Sequence, residues 1–206
     1  MTRFVLDKNP ELDFTKIFES HTLNLIMHSD PFLKQNFLNK IILTTNYPVI
    51  YLDIDLLFSG YVTSKIITPN QGLILFQPNR QKLLDIIKTI LLEISEKKSM
   101  LIIDSLNGLF NLYHENKDAG RLVNCYIMLF VSIAKNSNSK VIVSGMTRRK
   151  NNEEWVLSIT GRHIFESKRM TLIQLERKNS NIIANLLDGK DLPKKSISIS
   201  TQSEWI

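Results

Sequence analysis

Four stretches of this chain bring together residue types that handle phosphate or nucleic acid. The first is Leu23-Asn-Leu-Ile-Met-His-Ser-Asp-Pro-Phe-Leu-Lys-Gln35, an apolar strand running into a short turn. Laid on the phosphate-loop pattern G-x-x-x-x-G-K-[ST], the eight residues His28 to Gln35 fill every slot without a gap. Only Lys34 matches. His28 and Leu33 occupy the two glycine positions, and Gln35 stands where a Mg²⁺-binding hydroxyl belongs. A working loop needs glycines so that successive backbone N–H groups can close around the phosphates. Leu33 sets a branched side chain at that approach, so nucleotide binding of the usual kind is not expected and neither ATP nor Mg²⁺ is expected as a cofactor.

The second stretch is Met100-Leu-Ile-Ile-Asp104-Ser105-Leu106, an apolar strand that delivers a carboxylate at its C-terminal end. Ligands of parallel α/β sheets bind at that end. Asp104 there is either a Mg²⁺-associated aspartate or a side chain capping the following turn. The third stretch, Tyr51-Leu52-Asp53-Ile54-Asp55, follows another strand. A carboxylate there would orient an attacking water for phosphoryl transfer, or would be an ordinary acidic turn residue. The fourth, Thr147-Arg148-Arg149-Lys150-Asn151-Asn152 with Trp155 close behind, combines cations, amides and an aromatic ring. Cations neutralise phosphates and release counterions, and a ring stacks on an unpaired base. Glu153-Glu154 interrupts the patch, and the competing reading is a solvated loop with Trp155 docked on the core.

Other chemistry finds little support. His21, His28, His114 and His163 lack the spacing of a zinc site, and Cys125 alone cannot supply a thiolate cluster. His114-Glu115 has no second histidine of a zincin motif, and no Gly-x-Ser-x-Gly elbow occurs. No metal site is expected, and Cys125 reads as helix packing.

The elements that must position these residues follow from the apolar pattern. With 206 residues, 43% of them hydrophobic and 22% charged, the chain suits one domain with a real core. No apolar run reaches bilayer length, and the N-terminus lacks a secretory signal. One cysteine fits a reducing cytosol, so a cytoplasmic protein with no membrane partner is expected. A net charge of +6 and a pI near 9.4 favour an anionic partner, nucleic acid first.

Strands are predicted at Leu23–Met27, Pro48–Leu52, Leu73–Phe76, Met100–Ile103 and Val141–Ser144. Their near-continuous apolar character suits a parallel sheet buried on both faces. Helices are predicted at Phe32–Leu43, Arg80–Ser95 and Asp118–Lys135. The second carries Leu83, Ile86, Ile87, Ile90, Leu91 and Ile94 on one stripe, and the third Leu122, Tyr126, Phe130 and Ile133. Met170–Leu187, split at Lys178-Asn179-Ser180-Asn181, reads as an antiparallel hairpin closing one edge, with a further strand at Ile197–Ile199. Residues 1–20 read as an N-terminal extension and residues 202–206 as a loose tail.

Taken in order, these features resemble the ATPase core of the RecA/RadA recombinase superfamily, over about His21 to Ile199. A P-loop-like stretch is followed by Tyr-x-Asp-x-acid, Leu-Ile-Ile-Asp-Ser, a Gly120-Arg121 helix start, Val141-Ile-Val-Ser, a basic loop and a hairpin. The resemblance implies a RecA-like P-loop NTPase fold: a mostly parallel sheet flanked by helices, with an antiparallel C-terminal hairpin. It makes Lys34 the phosphate lysine, Asp104 the Mg²⁺-associated aspartate, and Asp55 the counterpart of the catalytic glutamate, one methylene shorter. It matches Tyr113–Arg121 to a first DNA-facing loop and Thr147–Gly161 to a second, with Arg169 and Lys178 in the closing strands and hairpin.

The departures are as informative. Both loop glycines and the hydroxyl are missing, and the strand-end Asn-Gln of the family is Gly145-Met146 here. The expectation is a non-catalytic paralog with a vestigial nucleotide site at His28, Leu33, Lys34, Gln35, Asp55 and Asp104. Nucleic acid, single-stranded DNA first, would be bound by Arg121, Arg148, Arg149, Lys150, Asn151, Asn152 and Trp155. A RecA/RadA-family recombinase is the expected protein partner, in a homo- or hetero-oligomer serving DNA repair. The alternatives are a structural subunit of an Elongator-like ring binding tRNA, or an atypical ATPase using Lys34, Asp55 and Asp104.

Overall fold

Alternation along the strands and apolar stripes along the helices sort the chain into two hydrophobic layers on either side of one sheet. The structure, a computed structural model, describes residues 15–150, 154–157, 170–179, 181–187 and 193–200. In chain order the elements are α1 (Thr15–Phe18), β1 (Leu23–His28), α2 (Pro31–Thr44), β2 (Val49–Asp53), α3 (Leu57–Thr63) and β3 (Leu73–Phe76). Then come α4 (Leu83–Glu96), β4 (Met100–Asp104), α5 (Leu106–Asn111), α6 (Ala119–Asn136), β5 (Lys140–Lys150) and β6 (Glu154–Leu157). The last three strands are β7 (Met170–Lys178), β8 (Asn181–Leu187) and β9 (Pro193–Ser200).

The strand order is β3-β2-β4-β5-β1-β7-β8-β9, with β6 branching from β5. All neighbours from β3 to β7 are parallel, whereas β7–β8 and β8–β9 are antiparallel. The α/β class, the mostly parallel sheet and the C-terminal hairpin expected from the apolar pattern are all present. Among the described residues no helix is long and apolar enough to cross a membrane.

From β1 the chain steps to β2 and β3 toward one edge, then turns back through β4 to β5. Right-handed crossovers put connections of opposite sense on opposite faces. Accordingly, α2 and α3 pack one face through Leu33, Phe37, Leu38, Ile41 and Phe58. The other face takes α4, α5 and α6 through Leu83, Ile87, Ile90, Leu109, Ile127 and Phe130. β1 and β4, whose chains leave to opposite faces, flank β5 at the carboxyl edge of the sheet, the position where such folds hold ligands.

Several expectations are revised. Helix α4 begins at Leu83, after the Asn79 side chain accepts the Lys82 N–H at 2.9 Å, and buries Leu83, Ile87, Ile90 and Ile94 of the anticipated stripe, with Ile86 and Leu91 half-buried beside them. In α6 the buried seam is Val123, Ile127, Phe130, Val131 and Ala134, so Leu122, Tyr126 and Ile133 only flank it. That rotation leaves Cys125 exposed rather than packed. Ile17 and Phe18 of α1 are buried in the core, so the end of the expected N-terminal extension is part of the packed fold. Residues 1–14 and the expected tail at 202–206 lie outside the described residues. Helices α3 and α5, each too short for a periodic signature, were not anticipated.

Gly108 marks where α5 presses on the turn after β2. A Cβ there would meet the Asp55 side chain and come within 2.8 Å of Ile54 Cγ2, whereas one at Gly60 meets nothing within 4 Å. Gly108→Ala should therefore cost about 1–3 kcal/mol in urea unfolding through overpacking. Gly60→Ala, inside α3, should stabilise by up to about 1 kcal/mol through helix propensity.

Candidate functional site

Strand alternation brings Tyr51 and Asp53 of β2, Asp104 of β4 and Ser144 of β5 to the α2 side of the sheet, with Asp53 in register beside Asp104. Helix α2 lays Lys34 across this row. The Lys34 ammonium donates to Asp104 Oδ1 at 2.5 Å and lies 3.8 Å from Asp55 Oδ2. Lys34 is 1% exposed and Asp104 0%, so the pair is closed to solvent. Ser144 Oγ donates to the same Oδ1 at 2.5 Å, and the Tyr51 hydroxyl donates to Oδ2 at 2.7 Å. Gln35 Nε2 donates in turn to the Tyr51 oxygen at 3.2 Å. A buried ion pair survives only with such additional hydrogen bonds, because each ion loses its hydration.

The start of α2 is also filled from within. Only Ser29 and Asp30 separate β1 from the helix. Asp30 is the N-cap: its Oδ1 accepts the N–H groups of Phe32 at 2.8 Å and Leu33 at 3.3 Å. Pro31 has no N–H, and the Lys34 N–H bonds the Asp30 carbonyl at 3.1 Å. Arg177 of β7 donates to Asp30 Oδ2 at 3.0 Å. The helix-start donors that would receive a phosphate thus hold the chain's own carboxylate. With the ammonium of Lys34 and both oxygens of Asp104 also engaged, the residues as arranged do not fit a nucleoside triphosphate and its Mg²⁺. Among the described residues no cluster of three or more His, Cys, Asp or Glu side chains is placed to hold a metal ion.

Electrostatics around the pair are those of a dry interior. His28, at the end of β1, is 3% exposed, and neither ring nitrogen has a hydrogen-bond partner among the described residues. Burial, reinforced by the Lys34 charge, lowers its pKa from 6.5 to about 4, so it is neutral at pH 7. Burial raises Asp53, against the opposing bonds from the Ser59 N–H at 2.6 Å and the Ser59 hydroxyl at 2.5 Å. Burial and then the charge of Asp104 push the Tyr51 hydroxyl well up, which keeps it a donor.

The structure thus brings His28, Lys34, Gln35, Asp55 and Asp104 to one place and buries Leu33 in the adjacent core, with Asp55 at the rim. Asp104 accepts from Lys34, Tyr51 and Ser144, and Ser105 rather than Asp104 caps the following helix by accepting the Gly108 N–H. Asp30 and Ser144 escaped the sequence reading. The signal for Ser144 was present, because two strands that end side by side with polar residues on one face bring those residues together. Asp30 before Pro31 was a legible cap.

The expected second nucleic-acid loop is in part regular structure. Strand β5 continues to Lys150 and pairs antiparallel with β6, Arg148 opposite Val156, Arg149 opposite Trp155 and Lys150 opposite Glu154. Continuous backbone pairing replaces the expected loop at those positions. Asn151, Asn152 and Arg169 lie outside the described residues. Arg121, on the first turn of α6, is exposed and 3.7 Å from Asp118. Lys178 ends β7 opposite Asn181. No protein-family model matches the chain, and a search of curated proteins finds no significant match.

Breaking the pair should be costly. Lys34→Met or Asp104→Leu alone should lower stability by about 3–5 kcal/mol, with a substantial part recovered in the double variant, as read by urea unfolding. His28 makes a separate prediction. Its folded pKa of about 4 lies below the unfolded 6.5, so the unfolded chain binds the extra proton as pH falls between them. The stability it contributes is intact above pH 6.5 and drains away toward pH 4, by about 3 kcal/mol. Asp53 shifts in the opposite sense, so the test is a difference: wild type should lose about 3 kcal/mol more than His28→Leu between pH 7 and pH 4.

Proposed function

We propose that this chain is a catalytically inert relative of the RecA/RadA ATPase core that binds single-stranded nucleic acid, DNA in preference, without hydrolysing ATP. The buried Lys34–Asp104 bond at 2.5 Å carries the reading. In a working NTPase the phosphate lysine holds the β- and γ-phosphates and the aspartate holds Mg²⁺. Here each is the other's ligand, on the strand ends and helix start where the resemblance puts the nucleotide site. The basic segment Arg148–Lys150 and Trp155, on a two-stranded ribbon, would supply phosphate contacts and stacking. On this reading the protein is a cytoplasmic accessory of DNA repair, acting in an oligomer or beside a RecA/RadA-family recombinase.

Two titrations test it. Calorimetry with ATP and Mg²⁺ should show no binding; heat that vanishes in Lys34→Ala would restore the enzyme reading. Affinity for a single-stranded oligonucleotide should fall with salt. Replacing Arg148, Arg149 and Lys150 by alanine should flatten the slope of log K against log salt by about 2, at about 0.7 per lost phosphate contact. Affinity that is absent at low salt, or unaffected by the triple change, sinks the proposal. Preference for tRNA in competition would redirect it to the RNA-binding alternative.

A further inference from the structure

A second candidate site lies at the opposite, amino edge of the sheet. A cleft of about 430 Å³ opens there, lined by residues from the end of α1 and from the turns entering β2, β4 and β5. Phe18 and Met100, both buried, form an apolar part of its wall. Lys98 and Lys140 line it together. Lys98 Nζ donates to the Tyr47 hydroxyl at 2.7 Å and sits 4.1 Å from the centre of that ring. Lys140 Nζ donates to the main-chain carbonyls of Glu19 at 3.0 Å and His21 at 3.5 Å. Among the described residues neither ammonium has a carboxylate within ion-pair distance, and both line the same cleft. Two cations therefore share a partly enclosed cleft whose lining also carries the exposed Glu19, its carboxylate beyond ion-pair distance of either lysine.

The geometry points to a binding site for a small phosphomonoester, its dianionic head between Lys98 and Lys140 and its apolar body against Phe18 and Met100. A phosphate monoester near neutral pH carries close to two negative charges, matching two ammonium groups where a single carboxylate would leave one unpaired. An apolar wall with a few convergent polar groups is the usual construction of small-molecule sites. Burial, and then the neighbouring charge of Lys98, make Lys140 give up its proton more readily, against a partial opposing pull from Glu19, and a bound dianion would offset that cost. The competing explanation is that the two lysines only face the carbonyl ends of α2, α4 and α6, which finish at this edge.

The experiment titrates the full chain with inorganic phosphate at constant ionic strength, followed by amide shifts in an NMR spectrum. Saturable shifts at Ser137–Val141, absent with chloride, are expected. Lys98→Gln and Lys140→Gln should each weaken phosphate binding about tenfold, the loss of one charge-assisted hydrogen bond. The alanine triple variant of Arg148, Arg149 and Lys150 should bind phosphate here like wild type. Shifts equal with chloride, or unchanged affinity in both glutamine variants, overturn the proposal and leave the lysines as helix-end partners. Should a variant fail to fold, acetylation of wild type read by mass spectrometry decides instead. Phosphate must slow labelling of Lys98 and Lys140 but not of Lys88, and equal rates refute the site.

Discussion

The ion pair between Lys34 and Asp104 imposes the strictest condition on this fold, because neither ion touches water. Removing a carboxylate and an ammonium from solvent costs several kcal/mol each, and mutual attraction recovers that only in good geometry with further hydrogen bonds. The surrounding layout follows from that demand. Tyr51 and Ser144 must arrive from β2 and β5 to complete the Asp104 shell. Helix α2 must start immediately after β1, so that its first turn sets the lysine above the sheet. A one-residue slip of β4 would turn Asp104 toward the opposite apolar layer and leave the lysine buried without a counter-charge.

The same economy governs the helix start. Asp30 takes the donors of α2 and is itself held by Arg177 from β7, so the strand beside β1 ties down this corner. Where a phosphate-binding loop would be open and glycine-lined, this chain has a two-residue turn, a proline and an internal anion. On the proposed reading the carboxylates of Asp30 and Asp104 occupy the donors that a nucleotide would otherwise engage. Any nucleic-acid binding would then be independent of ATP.

The sheet gives its two edges different characters. At the carboxyl edge, charge is paired and buried around Asp104, and the basic strand β5 runs on beyond it to pair with β6. At the amino edge, Lys98 and Lys140 line a cleft together with Glu19. Helix dipoles add to the contrast, since α2, α4 and α6 direct their carbonyl ends toward the amino edge. Cations are at home there even before any ligand is considered.

Much of this architecture was legible in the residues themselves. Short apolar runs rich in β-branched residues, such as Leu101–Ile103 and Val141–Val143, read as strands buried on both faces, and the stripe of α4 admits one helical face. The slot-by-slot comparison from His28 to Gln35 and the carboxylate ending the Asp104 strand marked the site, because those signals are local in sequence. What tertiary structure alone decided was what Lys34 does. A lysine 70 positions from its aspartate reads the same whether it waits for phosphate or is already bonded, and only the strand order and the register of β2, β4 and β5 bring the two to 2.5 Å. The continuation of β5 through Arg148–Lys150 likewise depends on a partner strand, since β pairing is a property of two segments and basic residues carry little strand propensity of their own.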